Sequence, residues 1–252
     1  MPGRNEWLAG LRVEKEWRSA AACVGAKMRD HDPSTLRYLR RLYGEEEREH
    51  ACRETTPEGV ARWQRDARPA MRRLLGLDAM AASLAGHRPA VALEPAETLD
   101  GFIRRLGRIE TEPDVSVPFW LLRPQGSGPF PLAILPHGHE NYGLNTYAGV
   151  WSSEAHRRKI LAEDRDVAVQ AARRGFLAIA PATRGFAPVA VPDLNERHEG
   201  RDCRSQAIHC LLAGRTAVGE RVWDVERLLD WAASLPDVDA SRLIDQAGGK
   251  VN

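Results

Sequence analysis

The sequence lacks any apolar stretch approaching the roughly 18 residues that a membrane-spanning helix needs. Its N-terminus, Met1 to Glu6, also lacks the apolar core of a secretory signal. Neither sign of charge dominates, because 36 basic residues face 35 acidic ones, so no overall field favours nucleic acid or an anionic membrane as a partner. We therefore expect a soluble, cytoplasmic protein that binds neither.

Cysteine is scarce and scattered. The four cysteines are Cys23, Cys52, Cys203 and Cys210, and no two of them have the C-x-x-C spacing that is typical of zinc and redox sites. Reduced thiols fit this pattern better than a disulfide framework does. The cysteines therefore predict no metal centre, and we expect no cofactor.

Short apolar segments in the second part of the chain predict a sheet. Phe102 to Ile109 and Val115 to Leu122 are separated by a Glu-Pro-Asp turn, which predicts a hairpin. Leu132 to Leu135 and Phe176 to Ala180 are predicted to be buried strands, and the helical pattern between them predicts a right-handed βαβ crossover with parallel strands. A further strand is expected to begin near Leu243.

Helical patterns dominate residues 1–77. The clearest helix has Thr56 as its cap, Pro57 at its first position and Gly76 as its stop. Residues 79–95 are rich in small residues and proline, which predicts a connector. We therefore expect an N-terminal helical region with its connector over residues 1–95 and an α/β core over residues 96–252. Further helices are predicted over residues 34–53, 153–174 and 204–235, and the last is expected to be broken or bent near Gly214 and Gly219.

The most informative stretch is the loop after the strand at Leu132 to Leu135. Pro136 ends this strand, and His137, Gly138 and His139 follow it. They therefore lie at the carboxyl end of a buried strand, where open α/β sheets build their ligand crevices.

Three interpretations of this loop are open. In a metal site, His137 and His139 would be ligands, but the sequence offers no further ligands at a recognisable spacing. In an oxyanion loop, Gly138 would permit an unusual turn, the His137 side chain would be structural, and the His139 backbone N–H would point at a reacting carbonyl oxygen. In the third interpretation the loop is only a strand end, and its histidines form structural hydrogen bonds. The His-Gly-His tripeptide by itself favours this structural interpretation.

Other polar and aromatic residues have simpler structural explanations. Ser205 and His209 lie four apart on a predicted helix, but no third group is placed to orient them. Arg184 is expected to brace a loop rather than to bind substrate. Trp223 and Trp231 are expected to pack between helix and sheet rather than to form sugar platforms.

Three segments taken together resemble the α/β-hydrolase superfamily. They are residues 132–142, 172–186 and 212–243, and the last is similar to the helix before the nucleophile strand in bacterial acetylxylan esterases and dienelactone hydrolases. The resemblance covers about residues 99–243. It implies N-terminal helices followed by a partial α/β-hydrolase sheet, with about five of the usual eight strands and flanking helices.

The resemblance also implies a mechanism. Members of this superfamily hydrolyse carboxylic esters through an acyl-enzyme, with the serine of a Ser-His-Asp triad on a Gly-x-Ser-x-Gly turn after the strand that would begin near Leu243. Residues 244–250 contain no serine, and the other triad members follow the serine in chain order. We therefore expect no catalytic triad residue in this chain, which would be truncated and inactive alone.

The expected partner is a small-molecule ester, as the complete family implies. Two other functions stay open: a non-catalytic interaction module, and a metal-dependent hydrolase that uses the His137 to His139 loop. An unpaired edge of a partial sheet is also expected to promote self-association.

Overall fold

The computed structural model describes residues 35–44 and 48–245. The chain divides into two compact units, Met1–Trp63 and Gln64–Asn252. The described residues form eight helices and seven strands. The helices are α1 Leu36–Leu42, α2 Pro57–Leu75, α3 Leu77–Ser83, α4 Gly143–Tyr147, α5 Glu154–Ala162, α6 Val167–Arg173, α7 Asp202–Leu212 and α8 Ala217–Ala233. The strands are β1 Val91–Leu93, β2 Glu97–Leu99, β3 Phe102–Glu112, β4 Val115–Pro124, β5 Phe130–Ile134, β6 Leu177–Pro181 and β7 Val238–Asp245.

The first unit contains α1 and the beginning of α2. Every residue of α1 is exposed, and residues 48–55 contain no helix, so the helix predicted over residues 34–53 was too long. A helix without a buried face gains little from packing, which keeps it short. The start of α2 is as predicted, because the Thr56 hydroxyl accepts the Gly59 N–H at 3.1 Å and Pro57 is the first helical residue.

The second unit is built on one mixed sheet. Its strand order is β1-β3-β4-β6-β5-β7, and β2 also pairs with β3. The hairpin of β3 and β4 is antiparallel, whereas β5 lies parallel to both β6 and β7, with Leu132 opposite Leu177 on one side and Leu243 on the other. The predicted hairpin and the predicted parallel crossover are both confirmed. The strands β1 and β2 were missed, since three residues are too few to show an alternating pattern.

Apolar side chains fill both faces of this sheet. Neighbouring residues of β5 point to opposite faces, as in any strand. Ile134 joins the cluster with Leu228 of α8, and Ala133 joins the cluster with Ala172 of α6. The five residues of β6 are all buried, as expected for a strand covered on both faces.

The two tryptophans of α8 pack into this interior. The Trp231 ring lies 5.2 Å from the Phe119 ring, and the Trp223 indole donates to the Thr111 carbonyl at 2.9 Å. Neither ring is presented as an open platform for a sugar.

One helix prediction needs correction. The pattern over residues 153–174 forms two helices, α5 and α6, because Asp164 takes a left-handed conformation with φ 51° between them. This break lets α6 turn its small buried residues onto the sheet. The helical region over residues 204–235 is broken at Gly214, which has φ 70°, as predicted. Gly219, the other position where a break or bend was expected, lies inside α8 and donates its N–H to the Thr216 cap at 2.9 Å.

None of the helices formed by residues 35–44 and 48–245 combines the length and the hydrophobicity of a membrane span.

Candidate active site

A cleft of about 520 Å³ lies at the carboxyl ends of β5 and β6, against one face of α8. The end of β6 and the loops after β5 and β6 contribute Pro136, His137, Gly138, His139, Pro181, Ala182, Thr183, Arg184 and Phe186. Helix α8 contributes Val218, Arg221, Val222, Asp224, Val225, Glu226 and Leu229. The predicted loop therefore does line a cavity of the size that small ligands occupy. The position follows from topology, because parallel strands end at a common edge.

The His137 side chain fastens this loop to the next strand end. The ring is only 3% exposed; its Nε2 accepts the Thr183 N–H at 3.1 Å, and its Nδ1 lies 2.9 Å from the Gly138 carbonyl. Nδ1 must therefore carry the proton, so this histidine is the neutral Nδ1–H tautomer. Thr183 also donates its hydroxyl to the His137 carbonyl at 2.9 Å. Both ring nitrogens are thus engaged, which leaves no lone pair for a metal ion.

Burial lowers the pKa of His137, although the Gly138 carbonyl opposes the shift. Since its folded-state pKa lies below the ordinary value near 6.5, the unfolded chain binds more protons, and stability rises with pH. We expect the free energy of unfolding to fall as pH drops below about 6.5, by up to about 1.4 kcal/mol per pH unit from this group. Urea titrations of the wild type and of His137→Gln between pH 7.5 and 5.5 measure this slope.

The slope should be smaller in His137→Gln than in the wild type. The control is Gly86→Ala, which changes no titratable group and places a Cβ where nothing lies within 4 Å, so it should keep the wild-type slope. Equal slopes for the wild type and His137→Gln would contradict the buried neutral imidazole.

The next two residues, Gly138 and His139, also line the cleft. The Gly138 carbonyl accepts both the His137 ring and the Glu140 N–H, which curls the loop into a tight turn. In the described part of the chain, the His139 N–H donates to no protein acceptor. Its side chain is exposed and meets Phe186 edge-on at 4.8 Å. The donor proposed from the sequence is therefore free to bind a ligand atom.

The structure also brings Cys203 to this loop. Its Sγ lies 3.7 Å from the His139 Nε2. The two residues are 64 positions apart, so no spacing signal was available for this contact, and sequence reasoning missed it.

The loop is held in place by close packing against α4. Tyr142 precedes this helix in a left-handed conformation with φ 57°, and Gly143 begins it directly against the His137 ring. A Cβ at position 143 would lie 2.3 Å from His137 Nδ1, a distance that real Cβ atoms do not show. Farther along, Glu140 pairs with Arg165 and accepts the Thr146 hydroxyl at 3.1 Å.

A buried network of charges lies behind the cleft. Arg184 is 5% exposed and binds Asp224 through Nε and Nη2, at 3.0 and 2.5 Å, and Glu112 through Nη1 at 2.5 Å. Arg215 reaches the other oxygen of Glu112 at 2.8 Å, and the Thr111 hydroxyl donates to Asp224 at 2.6 Å. The network joins the end of β3, the loop after β6 and α8. Arg184 thus braces this loop, although its guanidinium also borders the cleft.

Burial and ion pairing oppose each other in this network. Burial by itself would raise the pKa of Glu112, but hydrogen bonds from Arg184 and Arg215 hold it below its ordinary value. Burial likewise opposes the charge on Arg184, yet Asp224 and Glu112 raise its pKa above the ordinary value. For Asp224 burial has the larger effect and raises its pKa, although Arg184 and Thr111 oppose this shift. The charge on each of these groups therefore depends on the others.

Comparisons with known proteins relate this chain to others through its fold. No family model matches the sequence, and no curated protein matches it. A crystal structure assigned as an acetyl xylan esterase of Bacteroides fragilis NCTC 9343 superposes with a TM-score of 0.68 at 17% identity, over 88% of this chain and 56% of that one. A methylesterase superposes with a TM-score of 0.55 at 19% identity, over 85% of this chain and 39% of that one.

The chain has an α/β-hydrolase-like fold. It resembles esterases in this respect, and the predicted α/β sheet with flanking helices is confirmed, with seven strands among the described residues where about five were expected. The chain spans about half of the length of the first protein and less than half of the length of the second. At such identities the similarity concerns the fold.

In this α/β-hydrolase-like fold, the remaining candidates do not form a catalytic set. His209 Nδ1 lies 2.8 Å from the Ser205 carbonyl oxygen, not its hydroxyl, so the two side chains do not act as a pair. Among the residues that the structure describes, no three His, Cys, Asp or Glu side chains converge as a metal site would require. Residues 246–250, where the resemblance places a nucleophile turn, lie outside the described residues.

Proposed function

We propose that this chain provides the substrate cleft and one oxyanion donor of a serine carboxylic-ester hydrolase that acts on small acetyl esters. The donor is the His139 N–H. The observation that carries the proposal is the His137 to His139 loop, which lies on the cleft with that N–H free of protein acceptors. The esterase-like fold and the acetyl xylan esterase among the similar structures support it.

The chemistry asked of this loop is electrostatic. When a nucleophile attacks an ester, negative charge moves onto the carbonyl oxygen, and fixed N–H donors stabilise it because they need no reorganisation. The His137 side chain holds the loop in place, because its ring forms hydrogen bonds with the Thr183 N–H and the Gly138 carbonyl. One such donor is worth about 2.7–4 kcal/mol in characterised hydrolases.

We further propose that the polypeptide of residues 1–252 does not turn over esters by itself. No serine lines the cleft in the described part of the chain, and the Thr183 hydroxyl is committed to the His137 carbonyl. Without a nucleophile and its base, only the weak catalysis of binding and oxyanion stabilisation is left.

Ester binding can be tested without turnover. On addition of phenyl acetate, we expect the His139 amide resonance of the ¹⁵N-labelled protein to shift saturably. Phenyl ethyl ether, which has the same ring but no carbonyl oxygen, should leave that resonance in place. Equal shifts with both compounds, or none with phenyl acetate, would contradict the proposed donor.

Inactivity is tested with 4-nitrophenyl acetate. The purified chain and its Cys203→Ser variant should both release nitrophenol at the buffer rate. Turnover that follows the protein through purification would show the second proposal to be wrong, and its loss in Cys203→Ser would assign the nucleophile to the thiol beside His139.

A further inference from the structure

Arg221 lies on α8 at the cleft, with its guanidinium half-buried. Its Nε donates to the Arg184 carbonyl at 2.7 Å, and the guanidinium plane lies over the Phe186 ring, 4.8 Å from its centre. These contacts fix the side chain in one position. Its Nη1 and Nη2 donate to no acceptor among residues 35–44 and 48–245.

The absence of a counter-ion distinguishes Arg221 from its neighbours. Arg184 and Arg215 are also withdrawn from solvent, but Arg184 contacts three carboxylates and Arg215 contacts two. Within the described chain, Arg221 has no carboxylate within salt-bridge distance. Burial lowers the pKa of Arg221, and electrostatic interactions with Cys203 and Cys210 oppose the shift. A desolvated cation without a partner is costly, so such a site favours an anionic ligand.

Among the charged residues that line the cleft, Arg221 is the one for which the described chain shows no ion pair. Asp224 pairs with Arg184, and Glu226 pairs with Arg72 at 2.6 Å. A single guanidinium with two free nitrogens matches one carboxylate, which it can bind with two parallel hydrogen bonds.

The other wall of the cleft is apolar. It consists of Val218, Val222, Val225 and Leu229, which recur at steps of three or four along α8. An anion without an apolar body would leave this wall in contact with water. A carboxylate with a short hydrocarbon chain or ring would cover it.

We propose that this cleft binds a small monocarboxylate with an apolar body, its carboxylate on Nη1 and Nη2 of Arg221 and its hydrocarbon part against the valines of α8. Because it names a ligand class for the same cleft, this proposal builds on the proposed function. It identifies Arg221 as a specificity-determining residue that sequence reasoning did not single out.

Binding is measured by isothermal titration of the full chain with hexanoate, hexanamide and inorganic phosphate. Hexanoate should bind at least about tenfold more tightly than hexanamide, which has the same body without the charge. Phosphate should bind more weakly than hexanoate, since it cannot cover the apolar wall. Equal affinities for hexanoate and hexanamide, or tighter binding of phosphate, would overturn the proposal.

Variants locate the site. Arg221→Met should weaken hexanoate binding about tenfold or more, and Arg158→Met, at an exposed arginine of α5, should not change it. Val218→Trp fills the cleft from a position that is 53% exposed, so it should also block hexanoate while the protein stays folded. Hexanoate binding that survives Val218→Trp, or that Arg158→Met weakens as much as Arg221→Met, would place the ligand elsewhere.

The two proposals can fail separately. Hexanoate binding that depends on Arg221, without an ester-induced shift at His139, would remove the esterase function and keep the carboxylate site. An ester-induced shift at His139 without selective hexanoate binding would remove the carboxylate site and keep the esterase function.

Discussion

Replacing Arg184 with methionine is expected to lower the free energy of unfolding by about 3–5 kcal/mol. Methionine is similar in length and leaves little cavity, so the loss is electrostatic: Asp224 and Glu112 stay buried without their shared cation. Arg215 reaches Glu112 but does not replace the bonds to Asp224. Urea denaturation at pH 7 measures the change as a shift of the midpoint.

Two further variants separate burial from charge. Arg184→Lys keeps the positive charge but loses the planar guanidinium and its paired hydrogen bonds. Its free energy of unfolding should therefore lie between those of the wild type and Arg184→Met. Arg157→Met removes the partner of Glu154 in an exposed pair and should cost less than about 1 kcal/mol. If Arg184→Met cost no more than Arg157→Met, the network would not stabilise the fold.

Gly143→Ala is expected to cost about 2–3 kcal/mol and to displace the candidate oxyanion loop. The new Cβ would lie 2.3 Å from Nδ1 and 2.4 Å from Cγ of His137. The ring cannot move away without losing its bond to the Thr183 N–H, which is buried. Chemical denaturation measures the cost, and the His139 amide resonance reports the loop.

A double-mutant cycle identifies the origin of this cost. In a His137→Ala background the ring is absent and only the close contact with the Cβ of residue 137, at 2.8 Å, is left, so Gly143→Ala should then cost less than in the wild type. Gly86→Ala is the matched control, because nothing lies within 4 Å of a Cβ built there. The steric explanation would be wrong if Gly143→Ala behaved like Gly86→Ala, or if its cost were the same with and without the His137 ring.

The self-association expected from an unpaired sheet edge stays a prediction. In the described chain, β7 pairs with β5 on one side only. Its register is interrupted, with Pro131 opposite Asp239 but Leu132 opposite Leu243. Such a bulge twists an edge away from further pairing.

Several features of the fold were determined by local sequence patterns. The apolar run at Leu132 to Leu135 and its proline stop placed a buried strand and the loop after it, because a continuous apolar run is typical of a strand covered on both faces. Thr56 and Pro57 fixed a helix start, since capping depends on neighbouring residues alone. Where the pattern was short, as in β1 and β2, or had no glycine at the break, as at Asp164, sequence reasoning failed.

The composition of the site was decided by tertiary structure. The sequence singled out His137, Gly138 and His139, but not the bonds that make the His137 ring a neutral brace, because Thr183 lies 46 residues away in the chain. The contact of Cys203 with His139 and the unpaired guanidinium of Arg221 depend on which strand ends and helix faces meet. An arginine has the same appearance in sequence with or without a counter-ion. Only the packing of α8 over the ends of β5 and β6 shows that this one lines a cleft without an ion pair to any of the described residues.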